Sequence, residues 1–175
     1  MPDRRHLWRG VHDADMVRSG LTITATAGAA RHRPGETAVA TLSVTSTRVG
    51  HAFPTYVTPR VLLRAELLDA AGQVAAGSRA EKVVAREVAL DLSREVFDTR
   101  LSPGRTAVLQ YRRRIEAPGM RVRFSVVVEP DAFYTRFFET LLRQGAGRGE
   151  AQIRAALEAS RRSPFTVFEK ELPLS

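Results

Sequence analysis

The chain has 175 residues, 43% hydrophobic and 26% charged, which is enough for one core and too ordinary a mixture for a disordered chain. Its formal net charge is +8, carried almost wholly by arginine since Lys82 and Lys170 are the only lysines, so the surface favours anionic partners: nucleic acid, phospholipid head groups or an acidic protein. No segment is long and apolar enough to span a bilayer, the charged start Met1-Pro2-Asp3-Arg4-Arg5-His6 has no apolar stretch after it and does not read as a signal peptide, and the lack of cysteine leaves the compartment open.

Residues 1–19 read as a polar arm with one helical turn at Asp13 to Val17. From Leu21 the period becomes 2: Leu21, Ile23, Ala25 and Ala27 alternate with Thr22, Thr24 and Thr26, which predicts a strand. The turn signal Arg33-Pro34-Gly35-Glu36 leads to a second threonine-rich strand, Thr37 to Ser46, antiparallel to the first. A loop from Thr47 to Pro59 precedes a third strand, Arg60 to Leu68, and Asp69-Ala70-Ala71-Gly72 turns it into Gln73 to Ala76. Ala80 to Leu90 is strand or helix; Val83, Val84 and Val88 favour strand. After Ser102-Pro103-Gly104, Thr106 to Arg114 alternates, and after Ala117-Pro118-Gly119 so do Val122, Phe124, Val126 and Val128.

Beyond Pro130 the period becomes helical. Phe133, Phe137, Phe138, Leu141 and Leu142 form an apolar stripe that needs a partner surface. Gly145-Ala146-Gly147-Arg148-Gly149 breaks that helix, Glu150 to Arg162 forms another, and Thr166 to Leu172 reads as a strand returning to the sheet. The predicted architecture is mainly β: an Ig-like antiparallel β-sandwich over 20–130, with an N-terminal arm over 1–19 and a C-terminal helical appendage and return strand over 131–175.

The pattern argues against catalysis. Ser46, Ser78 and Ser102 sit in no G-x-S-x-G elbow, Asp13, Asp15, Glu36 and Asp69 fall at turns or caps, and the glycine-rich stretch after Gln144 follows a helix rather than a strand. The histidines His6, His12, His32 and His51 match no closed zinc spacing, so no metal site is expected. Arg112-Arg113-Arg114 and Arg161-Arg162 are basic clusters, yet no nucleic-acid module accompanies them. In the loop Phe53-Pro54-Thr55-Tyr56, proline holds the preceding residue in extended geometry. Two roles follow: a plug over one end of the sandwich with His51 bonded to backbone, or a surface that offers His51 and the aromatics to a partner.

Two segments carry a resemblance. His6-Leu7-Trp8-Arg9-Gly10-Val11-His12-Asp13 with Met16, and Val49-Gly50-His51-Ala52-Phe53-Pro54-Thr55, are similar to haem-proximal segments of bacterial multihaem c-type cytochromes. There a stretch of the form H-x-[FW]-x-G-x-H-D-x-x-M precedes a β-domain that contains a V-G-H-x-[FL]-P-T loop. The likeness extends over residues 5–135, supported by Pro34-Gly35-Glu36, by Val61 to Leu68 with its turn, and by Leu101-Ser102-Pro103-Gly104. Val11 and Tyr56 depart from it, standing where glycines are expected. The family implies that histidines of these loops approach or ligate haem iron. Covalent c-type haem, however, needs a C-x-x-C-H sequence, and this chain has no cysteine.

The resemblance therefore implies a haem-free β-sandwich that meets haem only through a partner. The expected role is a non-catalytic accessory subunit docked on a c-type cytochrome of a respiratory or photosynthetic membrane complex, on the extracytoplasmic (periplasmic) face, with contact to the membrane surface open and no nucleic-acid partner. The expected contact residues are His6, Trp8, His12 and Met16 of the arm and His51, Phe53, Pro54 and Thr55 of the loop, the two segments lying near each other. Trp8, the only tryptophan, either anchors the partner or packs on the chain's own sandwich. The other classes are a free-standing ligand- or carbohydrate-binding sandwich and a cytosolic nucleic-acid binder.

Overall fold

A computed structural model describes residues 10–28 and 32–175. His6 and Trp8 lie outside the described residues. Among the described residues, eight antiparallel strands form two facing sheets: β1 (Leu21–Ala27), β2 (Thr37–Ser46) and β6 (Thr106–Arg114) in the order β1-β2-β6, and β3 (Arg60–Leu68), β4 (Ala80–Val88), β5 (Glu95–Asp98), β7 (Arg121–Glu129) and β8 (Phe165–Pro173) in the order β5-β4-β3-β7-β8. The expected β-sandwich is what the chain forms. Ala80 to Val88 is strand, and the return strand closes the sheet against β7.

The alternation dictates the core. On β7, Val122, Phe124, Val126 and Val128 point inward and are buried, facing Leu42 and Val44 of β2 and Leu109 and Tyr111 of β6. Val61, Leu63, Ala65 and Leu67 of β3 complete the layer. Two short elements differ from the sequence reading. Gln73 to Ala76 is no strand but one bridge, Val74 to Leu68, because Gly72 and Gly77 both turn the chain at positive φ. The strand β5 had no sequence signal; it forms because β4 offers a free edge.

The arm ends in a helix longer than the predicted turn: α1 (Ala14–Gly20), whose N-cap Asp13 accepts a hydrogen bond from Met16 N at 2.9 Å. Beyond the sandwich lie α2 (Ala132–Gln144) and α3 (Glu150–Arg162), joined by a glycine-rich turn. None of the residues of α2 is buried, whereas α3 buries Leu157 and Ser160. The aromatic side chains of α2 stack along the helix instead, Phe133 on Phe137 and Tyr134 on Phe138. Thr135 and Ser160 hydroxyls bond at 3.0 Å and Arg161 bonds Glu139, which ties the two helices together. The hairpin is held to the sheet by the Arg136–Glu87 ion pair and by Phe133 N donating to Thr58 O at 3.0 Å.

Candidate functional site

Strand register gathers four segments at one end of the sandwich. Arg60 starts β3 opposite Ala85 of β4 and Glu129 of β7, so the loop that precedes β3, the β4–β5 turn and the start of α2 all emerge there. Leu21, the first residue of β1, pairs with Ser46, the last of β2, so α1 arrives at the same end.

The 47–59 loop is pinned at three places. Thr47 N and Arg48 N both donate to Gly20 O at 3.0 Å, which fixes its start against the end of α1. Gly20 is needed there: a Cβ would sit 2.8 Å from a methyl of Val49. Phe53 and Leu101 exchange both backbone hydrogen bonds at 2.8 Å. Arg100 donates to Thr55 O at 2.9 Å while its guanidinium grips Asp98. That contact holds the Asp98 carboxyl below its ordinary value and raises Arg100 in turn, so both are charged when they brace the loop.

Between α1 and this loop opens a cavity of about 490 Å³. Val11, Met16 and Val17 form one wall; Val49, His51, Phe53, Pro54, Thr55 and Tyr56 form the other. Five sequence-predicted residues thus share one cleft: Met16, His51, Phe53, Pro54 and Thr55. They do not serve it equally. Phe53 is a core residue, 6% exposed, and acts as the plug, whereas Tyr56 is 72% exposed and Met16 50%. Of the two aromatics expected to face a partner, the one that the loop offers outward is therefore Tyr56, while Phe53 turns into the core.

His51 is oriented by its own loop. Its Nδ1 lies 3.1 Å from Ala52 O and 3.2 Å from Thr55 Oγ1. A carbonyl only accepts, so Nδ1 donates to Ala52 O, and the ring is held through that nitrogen. His12 goes elsewhere: its Nε2 is 3.1 Å from Asp131 Oδ1, at the N-terminus of α2. His32 bonds Leu174 O on the far side of the fold. Among the described residues no three His, Asp or Glu side chains converge on a metal-sized site. An attached c-type haem does not fit this chain, because no residue can form its thioethers. No helix among the described residues is long and apolar enough to cross a membrane.

Fold and cleft together define an antiparallel β-sandwich with a helical hairpin and a partly apolar cleft at one end. No protein-family model matches the chain, and no curated protein matches its sequence. Among solved structures the fold is similar to a penta-heme cytochrome c552 from Thermochromatium tepidum, at 19% identity and a TM-score of 0.64. The similarity covers 95% of this chain and 42% of that one, so the chain spans less than half of the cytochrome's length. Two further similarities are slight: the CARDB domain of a Pyrococcus furiosus protein (TM-score 0.35, 14% identity, 63% of this chain and 74% of that one) and a Pseudomonas fluorescens alkylpurine DNA glycosylase (0.32, 16%, 62% and 27%). The likeness to part of a cytochrome is thus one of fold over nearly the whole chain.

Proposed function

We propose that the chain is a non-catalytic accessory subunit that docks on a c-type cytochrome of a membrane electron-transfer complex, on the extracytoplasmic face, and stabilises it. The observation that carries this reading is a mismatch. The fold is similar, over 95% of the chain, to part of a penta-heme cytochrome, yet the sequence contains no cysteine to attach a haem. A sandwich that accompanies haems without holding one has docking as its natural role, and haem reaches it only through the partner.

The cleft supports the same reading. Met16 and Tyr56 are large, apolar and exposed, the composition of an interface anchor rather than of a solvated surface. His51, held by its own loop through Nδ1, offers the partner its Nε2 edge in a fixed orientation. Arg48 at the cleft rim and the overall charge of +8 favour an acidic cytochrome surface and would steer the encounter.

The test is native affinity purification of the tagged chain from its source cells, followed by a visible spectrum. The expected outcome is a c-type haem spectrum that stays with a second polypeptide after denaturation, and an affinity that falls between low and high salt as charges are screened over about 8 Å at physiological ionic strength. Purification without any haem protein would remove the proposal.

A further inference from the structure

We infer that the β4–β5 hairpin tip is a second contact arm for the same haem-protein partner, so that the footprint spans the whole end of the sandwich rather than the cleft alone. The inference rests on the docking role proposed above and extends it to residues that neither the sequence motifs nor the cleft contains.

The register places the tip. Val88 pairs with Glu95 and Arg86 with Asp98, while Ala85 lies level with Arg60, the residue at which the cleft loop enters the sheet. Residues 89–94 therefore project past the same end that carries the cleft. All six residues from Asp91 to Val96 are exposed. At the apex stands Leu92, 65% exposed, with φ at +61°. That left-handed conformation suits Gly or Asn, and a leucine there is uncommon. Its N–H is used by Ala89 O at 2.9 Å, and Asp91 accepts from Ser93 N and Oγ, so the turn is built by its neighbours and does not need a leucine. A residue that breaks both the backbone preference and the burial preference is where a functional demand is expected.

The distribution of exposed apolar side chains says what covers it. Of the seven large hydrophobic side chains most exposed among the described residues, Met16, Tyr56, Leu92, Val96 and Tyr134 lie at this end, Val74 lies at the opposite end and Val108 on the face of the three-stranded sheet. Five anchors at one end of a sandwich match one continuous partner surface better than separate ones. Arg94 and Arg143 flank the tip; Arg94 acts on the Asp91 carboxylate of the same turn, while Arg143 forms no carboxylate ion pair among the described residues and so matches the acidic surface proposed at Arg48. The partner this end fits is the haem-bearing polypeptide, with an acidic rim around apolar contacts.

The experiment uses the natively purified complex. A photo-reactive phenylalanine analogue is placed at Tyr56, at Leu92 or, as a control, at Val74, and cross-linked products are stained for haem. Alongside, Leu92→Asn is measured for binding and melting. Cross-links to the haem-stained polypeptide from Tyr56 and Leu92 but not Val74 are expected. Leu92→Asn should weaken binding about tenfold while the melting temperature holds or rises, since Asn tolerates the left-handed conformation. A cross-link from Tyr56 alone, a cross-link from Leu92 to lipid or to a haem-free polypeptide, or unchanged binding by Leu92→Asn overturns the inference and leaves the docking role standing. No haem-stained product from any position overturns both.

Discussion

The two ends of the sandwich are built on opposite principles. At the end remote from the cleft, polar groups close on one another. Tyr111 donates to Ser78 O at 2.7 Å, Leu67 N to Ser78 Oγ at 3.1 Å, and Glu66 sits between Arg79 and Arg123 at 2.7 and 2.8 Å. Ile115, Met120 and Leu174 fill the space beneath. At the cleft end the loops brace themselves through backbone contacts and leave methionine, tyrosine and leucine side chains in solvent. One end is closed by its own side chains; the other has apolar surface that none of the described residues covers. The first should govern stability and the second association, and substitutions can pull the two apart.

The largest effect belongs to the core beneath the closed end. Phe124→Ala removes a fully buried ring that meets Tyr111 edge-on at 6.5 Å between centroids. The expected loss is about 3–5 kcal/mol of unfolding free energy in a urea titration. Tyr56→Ala, at the open end, should change it by less than about 0.5 kcal/mol. Equal losses would erase the distinction between the ends.

Next comes Glu66. Burial alone would raise its pKa, but the hydrogen bonds from Arg123 and Arg79 outweigh burial and hold it below its ordinary value of 4.5. A depressed carboxylate contributes stability that is present above its unfolded pKa and lost as pH falls through the folded value. The melting temperature should therefore drop more steeply below pH 4.5 than in Glu66→Gln, which should itself cost roughly 1–3 kcal/mol at neutral pH by leaving the two arginines poorly matched. Parallel acid profiles for the two proteins would show that the triad does not hold the closed end.

At the open end, Tyr56→Ala should weaken binding to the proposed cytochrome partner about tenfold, or about 1.4 kcal/mol, with melting unchanged. Isothermal calorimetry on the purified pair reads the first and a thermal scan the second. Intact binding would mean the cleft is not the contact.

What the residues disclosed follows from the range over which each interaction acts. Arg60–Leu68, Thr106–Arg114 and Glu150–Arg162 were legible to the residue because periodicity is written locally. The four-residue β5 was not, since Glu-Val-Phe-Asp is too short to show a period and exists by pairing with β4. The arm and the V-G-H loop were legible as motifs, and the structure brings Met16 and the loop together. The brace from Arg100 to Thr55 spans 45 positions and left no trace in the sequence. Leu92 was passed over for a different reason: an exposed leucine becomes informative only when its φ and its place at the cleft end are known.

The smallest expected effect concerns His12, the motif residue that the structure takes away from the cleft. Its ring bonds Asp131 at the start of α2 and its side chain is 62% exposed. A pair this open contributes about 0–1 kcal/mol, so His12→Ala should scarcely move global unfolding. Its effect should be local, as faster amide exchange in the first turn of α2, where Phe133 N depends on Thr58 O for its place. Binding should stay within about threefold of the parent, because the imidazole is engaged with its own chain. If instead binding falls more than tenfold while melting and exchange are unchanged, His12 must leave Asp131 to meet the partner. The open end would then reach across the start of α2, and the boundary drawn here between bracing and docking residues would pass through that histidine.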